Sequence, residues 1–315
     1  MKKNKICNQI KNLTFPLGLA TLLVVVGIIF IIKNAFHLRG VGFSEDIIDQ
    51  NYIKILFSLA GIIFLYDTII RSQNNNKQQQ ENFDRQQFEN RFFELLKIHR
   101  ENVRSFPKYK NPDSRLEEYL ESQAYFVKLK EHFKEIFILT HKNNYNLKIE
   151  DVINVSFLFL YYGVSKSSLS TLQDKFEKMN LKELNLSKII EILHNKKAKY
   201  NTNLVKYGGH QLRLSHYFRH LNQTIKFVDK NDLLSDIEKY EYIKLLRAQL
   251  SQPELEILLY NSLSSHGKSW NEEPFKFIEK YKLFKNLPKV LFELGELNVE
   301  PKEFYPEITF DWEKK

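Results

Sequence analysis

Residues 12–32, NLTFPLGLATLLVVVGIIFII, carry no charge. That is enough apolar chain to cross a hydrocarbon core of roughly 30 Å as a helix. Pro16 lies in the first turn, where a missing N–H costs little. The run outlasts the apolar core of a cleavable leader, about 7–15 residues, and FIIKNAF offers no small-x-small cleavage site. A second run, YIKILFSLAGIIFLYDTII (52–70), keeps Lys54 and Asp67 near its ends and leaves Ile55–Tyr66 uncharged. Its end charges can reach the membrane interface. Together the runs predict an N-terminal two-helix transmembrane hairpin over residues 1–71.

Beyond it the pattern changes to helical periodicity. SQNNNKQQQENFDRQQFEN (72–90) is polar and reads as a linker that turns helical. Phe83, Phe88, Phe92, Leu95, Leu96 and Val103 then mark one apolar face. FPKYKNPDS (106–114) breaks that helix, and Leu116 to about Thr140 resumes an amphipathic run. VINVSFLFLYY (152–162) fits either a buried helix or a strand by periodicity. No partner strand is evident elsewhere, so a helix is expected. Further helices are expected at about 166–179, 186–195, 210–229, 235–250, 252–265 and 273–285. A turn-rich connector, 196–209, ends in a glycine pair. The fold class is therefore all-α: a membrane hairpin followed by a multi-helix domain over 91–288, with a docked or frayed tail over 289–315. Ser251-Gln252-Pro253-Glu254 fits a capping box, with Ser251 as N-cap and Glu254 at the third helical position. Gly267 fits a helix stop.

Charge orients the hairpin. Lys2, Lys3, Lys5 and Lys11 precede the first span, and Arg71, Lys77 and Arg85 follow the second. The 33–51 loop sets Lys33 and Arg39 against Glu45, Asp46 and Asp49. The positive-inside rule then places both chain ends in the cytoplasm of a multi-pass inner (plasma) membrane protein. Formal net charge is +9, but residues 72–315 hold 39 Lys and Arg against 34 Asp and Glu. That balance lacks the concentrated basic field of a dedicated nucleic-acid binder. The single cysteine, Cys7, excludes an intrachain disulfide framework and cysteine-based zinc sites.

Candidate chemistry concentrates in GGHQLRLSHYFRHLNQTIKFVD (208–229). On a helix, Leu214, Phe218, Leu221, Ile225 and Val228 form a core stripe. Arg213, His216, His220 and Thr224 form a second, polar stripe beside it. Three uses follow. His216 and His220 could share a metal ion, but no third ligand is adjacent, so no metal is expected. Arg213 and His220 match the loose R-x4–6-H spacing of HEPN-type helical ribonucleases: arginine to hold phosphate, histidine as general acid or base. The favoured use is a polar stripe that hydrogen-bonds a neighbouring helix or a second protomer. No glycine-rich phosphate loop or GxSxG elbow occurs, so no cofactor is expected.

HYFRHLNQTIKFVD (216–229), KYEYIKLLRAQLSQPELEILLYNSLSSHGK (239–268) and FIEKYKLFKNLP (277–288) resemble the bacterial phage abortive infection family, sometimes called AbiC-like. FFELLKIHRENV (92–103) continues the likeness, which covers about 85–288. The resemblance implies a role in phage defence, in which an infected cell stops supporting the virus. It carries over Tyr217, Arg219, His220, Arg247, Gln249, Ser251, Glu254, Tyr260 and Asn261 as motif positions and brings no catalytic assignment. The resulting expectation is a membrane-anchored, non-enzymatic defence protein. Its helical domain senses or interacts, with the lipid bilayer, a second copy of the chain and a phage or host protein as partners. The alternative is a membrane-anchored, metal-independent ribonuclease using Arg213 and His220, with RNA as partner. A hairpin that itself perturbs the bilayer is a third reading.

Overall fold

Apolar residues Gly18–Ile29 form helix α1. Gln50–Arg104 forms α2, one helix of 55 residues. The computed structural model describes residues 18–29, 32, 50–107, 123–144, 146–179, 186–196, 207–295 and 297–314. It divides into two compact units, Met1–Phe88 and Glu89–Lys315.

In the first unit, Leu22, Ile29, Ile55, Ile62 and Leu65 are each 60–66 % exposed. Ala20 and Ala60 are buried. Gly27 abuts Phe57, whose ring carbons lie 3.0 and 3.1 Å from where a β-carbon would stand. Small residues therefore bring α1 against α2, while the bulky apolar side chains point away. Asp67, the one buried carboxylate described here, accepts from Arg71 Nε at 2.6 Å, one turn along the helix. Of the described helices, only the one running to Arg104 is long and apolar enough to cross a bilayer. The remainder of the first predicted span, Cys7 and most of the 33–51 loop lie outside the described residues.

The polar stretch 72–90, expected to turn helical, is helical throughout. From Gln50 to Arg104 there is no proline and a single glycine, Gly61, and glutamine and arginine are good helix formers. Gln80 also donates to Asp84 at 2.8 Å. The helix ends just before Pro107, whose ring disfavours helical backbone at the preceding residue.

The second unit is built on α3 (Gln123–Asn143), α4 (Ile149–Tyr162) and α9 (Gln252–Leu263), which contact one another pairwise. The ambiguous run is helix α4, buried continuously from Val152 to Tyr161. A helix enclosed on all sides is apolar all round, which is why its periodicity was uninformative. Helix α9 is also buried from Glu254 to Ser262. Tyr260 stacks on Phe133 with ring centroids 3.7 Å apart. Around this centre lie α5 (Lys166–Lys178), α6 (Leu186–Asn195), α7 (Gln211–Asp229) and α8 (Asp236–Arg247).

Two C-terminal expectations need correction. The predicted helix 273–285 is only a short α10, Phe277–Lys280. Lys276 and Lys282 take left-handed backbone, with φ of 41° and 49°. The carbonyls of Tyr281 and Lys282 instead accept from the buried Arg247 guanidinium at 3.4 and 2.9 Å. The fold is also not purely helical. Strands β1 (Phe292–Leu294) and β2 (Leu297–Val299) pair antiparallel, Phe292 opposite Val299, around Gly295 at φ 64°. Both Phe292 and Val299 are buried, so the pair turns one apolar edge inward. The tail after it, with α11 (Pro301–Phe304), is docked: Tyr305, Ile308 and Phe310 are buried, and the Tyr305 hydroxyl donates to Ser262 Oγ at 2.7 Å.

Candidate functional site

The site begins where two chain segments cross at the backbone. Gly163 ends α4 with φ 73°, and Gly209 precedes α7 with φ 89°. A β-carbon on Gly209 would collide with the Tyr162 carbonyl, and one on Gly163 with the Gly208–Gly209 peptide. The crossing is fastened on both sides. Val164 N–H donates to the Tyr207 carbonyl at 3.0 Å, and His210 N–H to the Tyr161 carbonyl at 2.8 Å. Tyr207 pays a conformational penalty here, since a non-glycine residue at φ 58° is strained. Its hydroxyl donates to Glu135. The crossing forms one wall of a cleft of about 400 Å³ between the first turns of α5 and α7.

Glu254 is the centre of a second, buried arrangement. The capping box read from the sequence is present: Ser251 N–H and Oγ donate to Glu254 Oε2 at 2.9 and 2.6 Å. The other carboxylate oxygen accepts from the buried Tyr217 hydroxyl at 3.0 Å. His99, on α2, places Nε2 3.8 Å from that same oxygen. The His99 ring lies beside Tyr217 and stacks with His220 at a centroid distance of 6.0 Å. None of the four ring nitrogens of His99 and His220 has a hydrogen-bond partner.

Burial governs the protonation of this group. It holds His99 at about 4, well below the ordinary histidine range, and the His220 ring adds to the effect. A neutral imidazole at 3.8 Å is a contact with Glu254 and not an ion pair. Burial, then His216, lowers His220. Burial pushes Glu254 up against the opposing pull of its Ser251 and Tyr217 donors. Burial and then Glu254 raise the Tyr217 hydroxyl well above its usual value. His210 is held at about 3 by burial, with His132 and Arg213 contributing.

A pH dependence follows. His99 and His210 are 1 % and 3 % exposed and stay neutral in the fold, whereas the unfolded chain protonates them near pH 6.5. Their folded pKa values are depressed, so the associated stability is full above the unfolded value and is lost as pH falls toward the folded values. Each can remove on the order of 3 kcal/mol across that window. Glu254 opposes the trend: its raised pKa favours the fold at low pH, an advantage lost as pH rises through its folded value. Melting temperature should therefore drop steeply below roughly pH 6. His99→Phe, tested by thermal unfolding from pH 7.5 to 4.5, should flatten that drop. An unchanged slope would contradict the assignment.

The predicted positions separate into distinct places. Arg213 lines the cleft, whereas His220 is not among the lining residues and instead meets His99. The polar stripe on α7 is not uniform: His216 is exposed, His220 half-buried and Thr224 fully buried, its hydroxyl donating to the His220 carbonyl at 3.0 Å. A threonine inside a helix can satisfy itself in this way, which lets that edge of the stripe enter the core. Arg219 and Gln249 are exposed. Arg247 holds the 281–282 turn. Tyr260 and Asn261 are buried, and Asn261 receives Ser264 N–H and Oγ on its carbonyl. Gly267 is required for a different reason than expected: its φ is −113°, but a β-carbon would strike the Asn261 carbonyl. His99 and His210 were not singled out from the sequence. His99 had a signal, since it follows Leu96 by three and precedes Val103 by four on the buried face of α2.

Among the described residues, no group of three or more His, Cys, Asp or Glu side chains is arranged to hold a metal. Glu254 is committed to three donors, so it is a poor general base. The class defined here is a helical protein with a buried His–Tyr–Glu hub, a hydroxyl-rich cleft and one long helix that is apolar in its first part. Residues 209–292 match the model of a family described as "Putative phage abortive infection protein". The likeness drawn from the α7 and α9 motifs is borne out over that segment, which holds α7 through the start of the strand pair. No curated protein and no solved structure matches the chain.

Proposed function

We propose that this is a membrane-anchored phage-defence protein that acts through its helical domain by recognition and not by catalysis. The carrying observation is α2. It bears the exposed apolar side chains of Ile55, Ile62 and Leu65 and, further along, the His99 face that enters the Glu254 hub. The tight Gly27–Phe57 approach supports α1 as the other arm of a hairpin, as small residues do between helices in lipid. With the flanking lysines and arginines, this reading keeps both chain ends in the cytoplasm. A second copy of the chain or a phage or host protein is the partner this reading calls for. The separation of Arg213 from His220 favours recognition over a ribonuclease that needs both at one phosphate.

The test is a phage challenge of cells making the full chain or a version lacking residues 1–71. Membrane fractionation and total RNA are followed in the same cultures. The full chain should pellet with membranes and reduce plaque formation, and the truncated chain should be soluble and plaque like empty-vector cells. Full protection by the soluble form would remove the anchor from the mechanism. Discrete RNA fragments appearing on infection would move the reading to the ribonuclease.

A further inference from the structure

The cleft between α5 and α7 has a lining suited to an anion carried on a flat organic group. Six of its lining side chains bear hydroxyls, two of them the tyrosines 161 and 162, and none is acidic. Arg213 lines it half-buried, with no carboxylate partner among the described residues. Arginine matches phosphate oxygens with a planar fork of donors. Lys175 adds positive charge nearby, its Nζ 5.5 Å from the Tyr162 ring centroid.

The backbone adds donors. Ser167 lies in the first turn of α5, and Gln211 and Leu212 in the first turn of α7. First-turn N–H groups have no carbonyl four residues back, and helix starts favour negative charge. His210 also lines the cleft and is 3 % exposed, its Nδ1 joined to the Tyr125 hydroxyl at 2.9 Å and its ring beside His132 of α3. The volume falls within the roughly 300–1,000 Å³ of small-molecule sites.

We propose that this cleft binds a phosphomonoester of mononucleotide size, its phosphate at Arg213 and the first turns of α5 and α7, its organic group against Tyr161 and Tyr162. Ser168 holds the floor through its hydroxyl bond to the Gly163 carbonyl at 2.9 Å, and Ser167 Oγ meets Ser165 Oγ at 3.0 Å, leaving Thr171 for the ligand. The inference is independent of the membrane anchor and of whether the protein is an enzyme.

The experiment uses the full chain in detergent, titrated calorimetrically with AMP and with inorganic phosphate. AMP should bind, and more tightly than phosphate. Arg213→Gln should weaken AMP binding by roughly tenfold or more, the weight of a charge-assisted contact. Ser167→Asp, which sets a carboxylate beside the phosphate, should do the same. A second readout needs no variant: AMP should protect Arg213 of the wild type from phenylglyoxal, followed by peptide mass mapping. Absence of AMP binding at millimolar concentration would overturn the proposal. So would unchanged affinity in both variants, equal affinity for AMP and phosphate, or undiminished modification of Arg213.

Discussion

Glu254→Ala is expected to lower folding stability by roughly 4 kcal/mol, which for a domain of this size is roughly 10 °C in melting temperature. The loss has two parts. Glu254's half of the α9 capping box disappears, which leaves the Ser251 N–H without its acceptor, and the fully buried Tyr217 hydroxyl loses its acceptor too, at about 1–3 kcal/mol for each buried group left unsatisfied. The chain contains its own control. Ser235 and Glu238 form the same capping box on α8, with Ser235 N–H and Oγ donating to Glu238 Oε2 at 2.9 and 2.7 Å, but at the surface. Glu238→Ala should therefore cost about 1 kcal/mol or less. The difference between the two variants isolates the buried hub from the cap. Thermal unfolding of both in detergent, at pH 7.5, gives the comparison directly. Equal losses would mean that Tyr217 and His99 add nothing to Glu254 beyond its local cap.

That pair of boxes also shows where local sequence stops informing. Ser-x-x-Glu is visible in both places because the cap is made by residues three apart. Nothing within either motif distinguishes the exposed box from the buried one, because the side chains that meet Glu254, Tyr217 of α7 and His99 of α2, come from elsewhere in the chain. The same limit explains the other differences. Phe277, Ile278, Tyr281 and Phe284 have helical spacing and are buried, yet Arg247, distant in sequence, takes the carbonyls that a longer α10 would need. Strands β1 and β2 are three residues each, too short for a period of two to register. On α7, the core stripe was legible because five apolar positions repeat on one face. The fate of the polar stripe beside it was not, since helical phase alone cannot say that Thr224 meets a neighbour while His216 meets solvent. His99 is the instructive case. Its phase placed it on the apolar face, but a histidine there reads as polar until its buried partners, Tyr217, His220 and Glu254, are in view.

Gly209→Ala should be at least as damaging as the loss of Glu254, for a reason rooted in the backbone. At φ 89° an alanine is strained by about 1–3 kcal/mol before any neighbour is considered. Its β-carbon then meets the Tyr162 carbonyl, which is main chain and cannot swing aside as a side chain would. Moving the segments apart stretches the His210 N–H to Tyr161 and Val164 N–H to Tyr207 bonds, which bracket the contact. Gly295→Ala separates the two contributions: Gly295 also has positive φ, 64°, but a β-carbon there meets nothing within 4 Å. It should cost about 1 kcal/mol, the backbone part alone. Limited proteolysis and melting temperature should then rank wild type, Gly295→Ala and Gly209→Ala in falling order, with Gly209→Ala cut first near the start of α7. If Gly209→Ala were no worse than Gly295→Ala, the crossing of α4 and α7 would have to be loose enough to admit a methyl group. A loose crossing could not hold Arg213, His210 and the start of α5 at a fixed spacing. The steric test on one glycine therefore also tests whether the cleft wall is rigid enough to select a ligand.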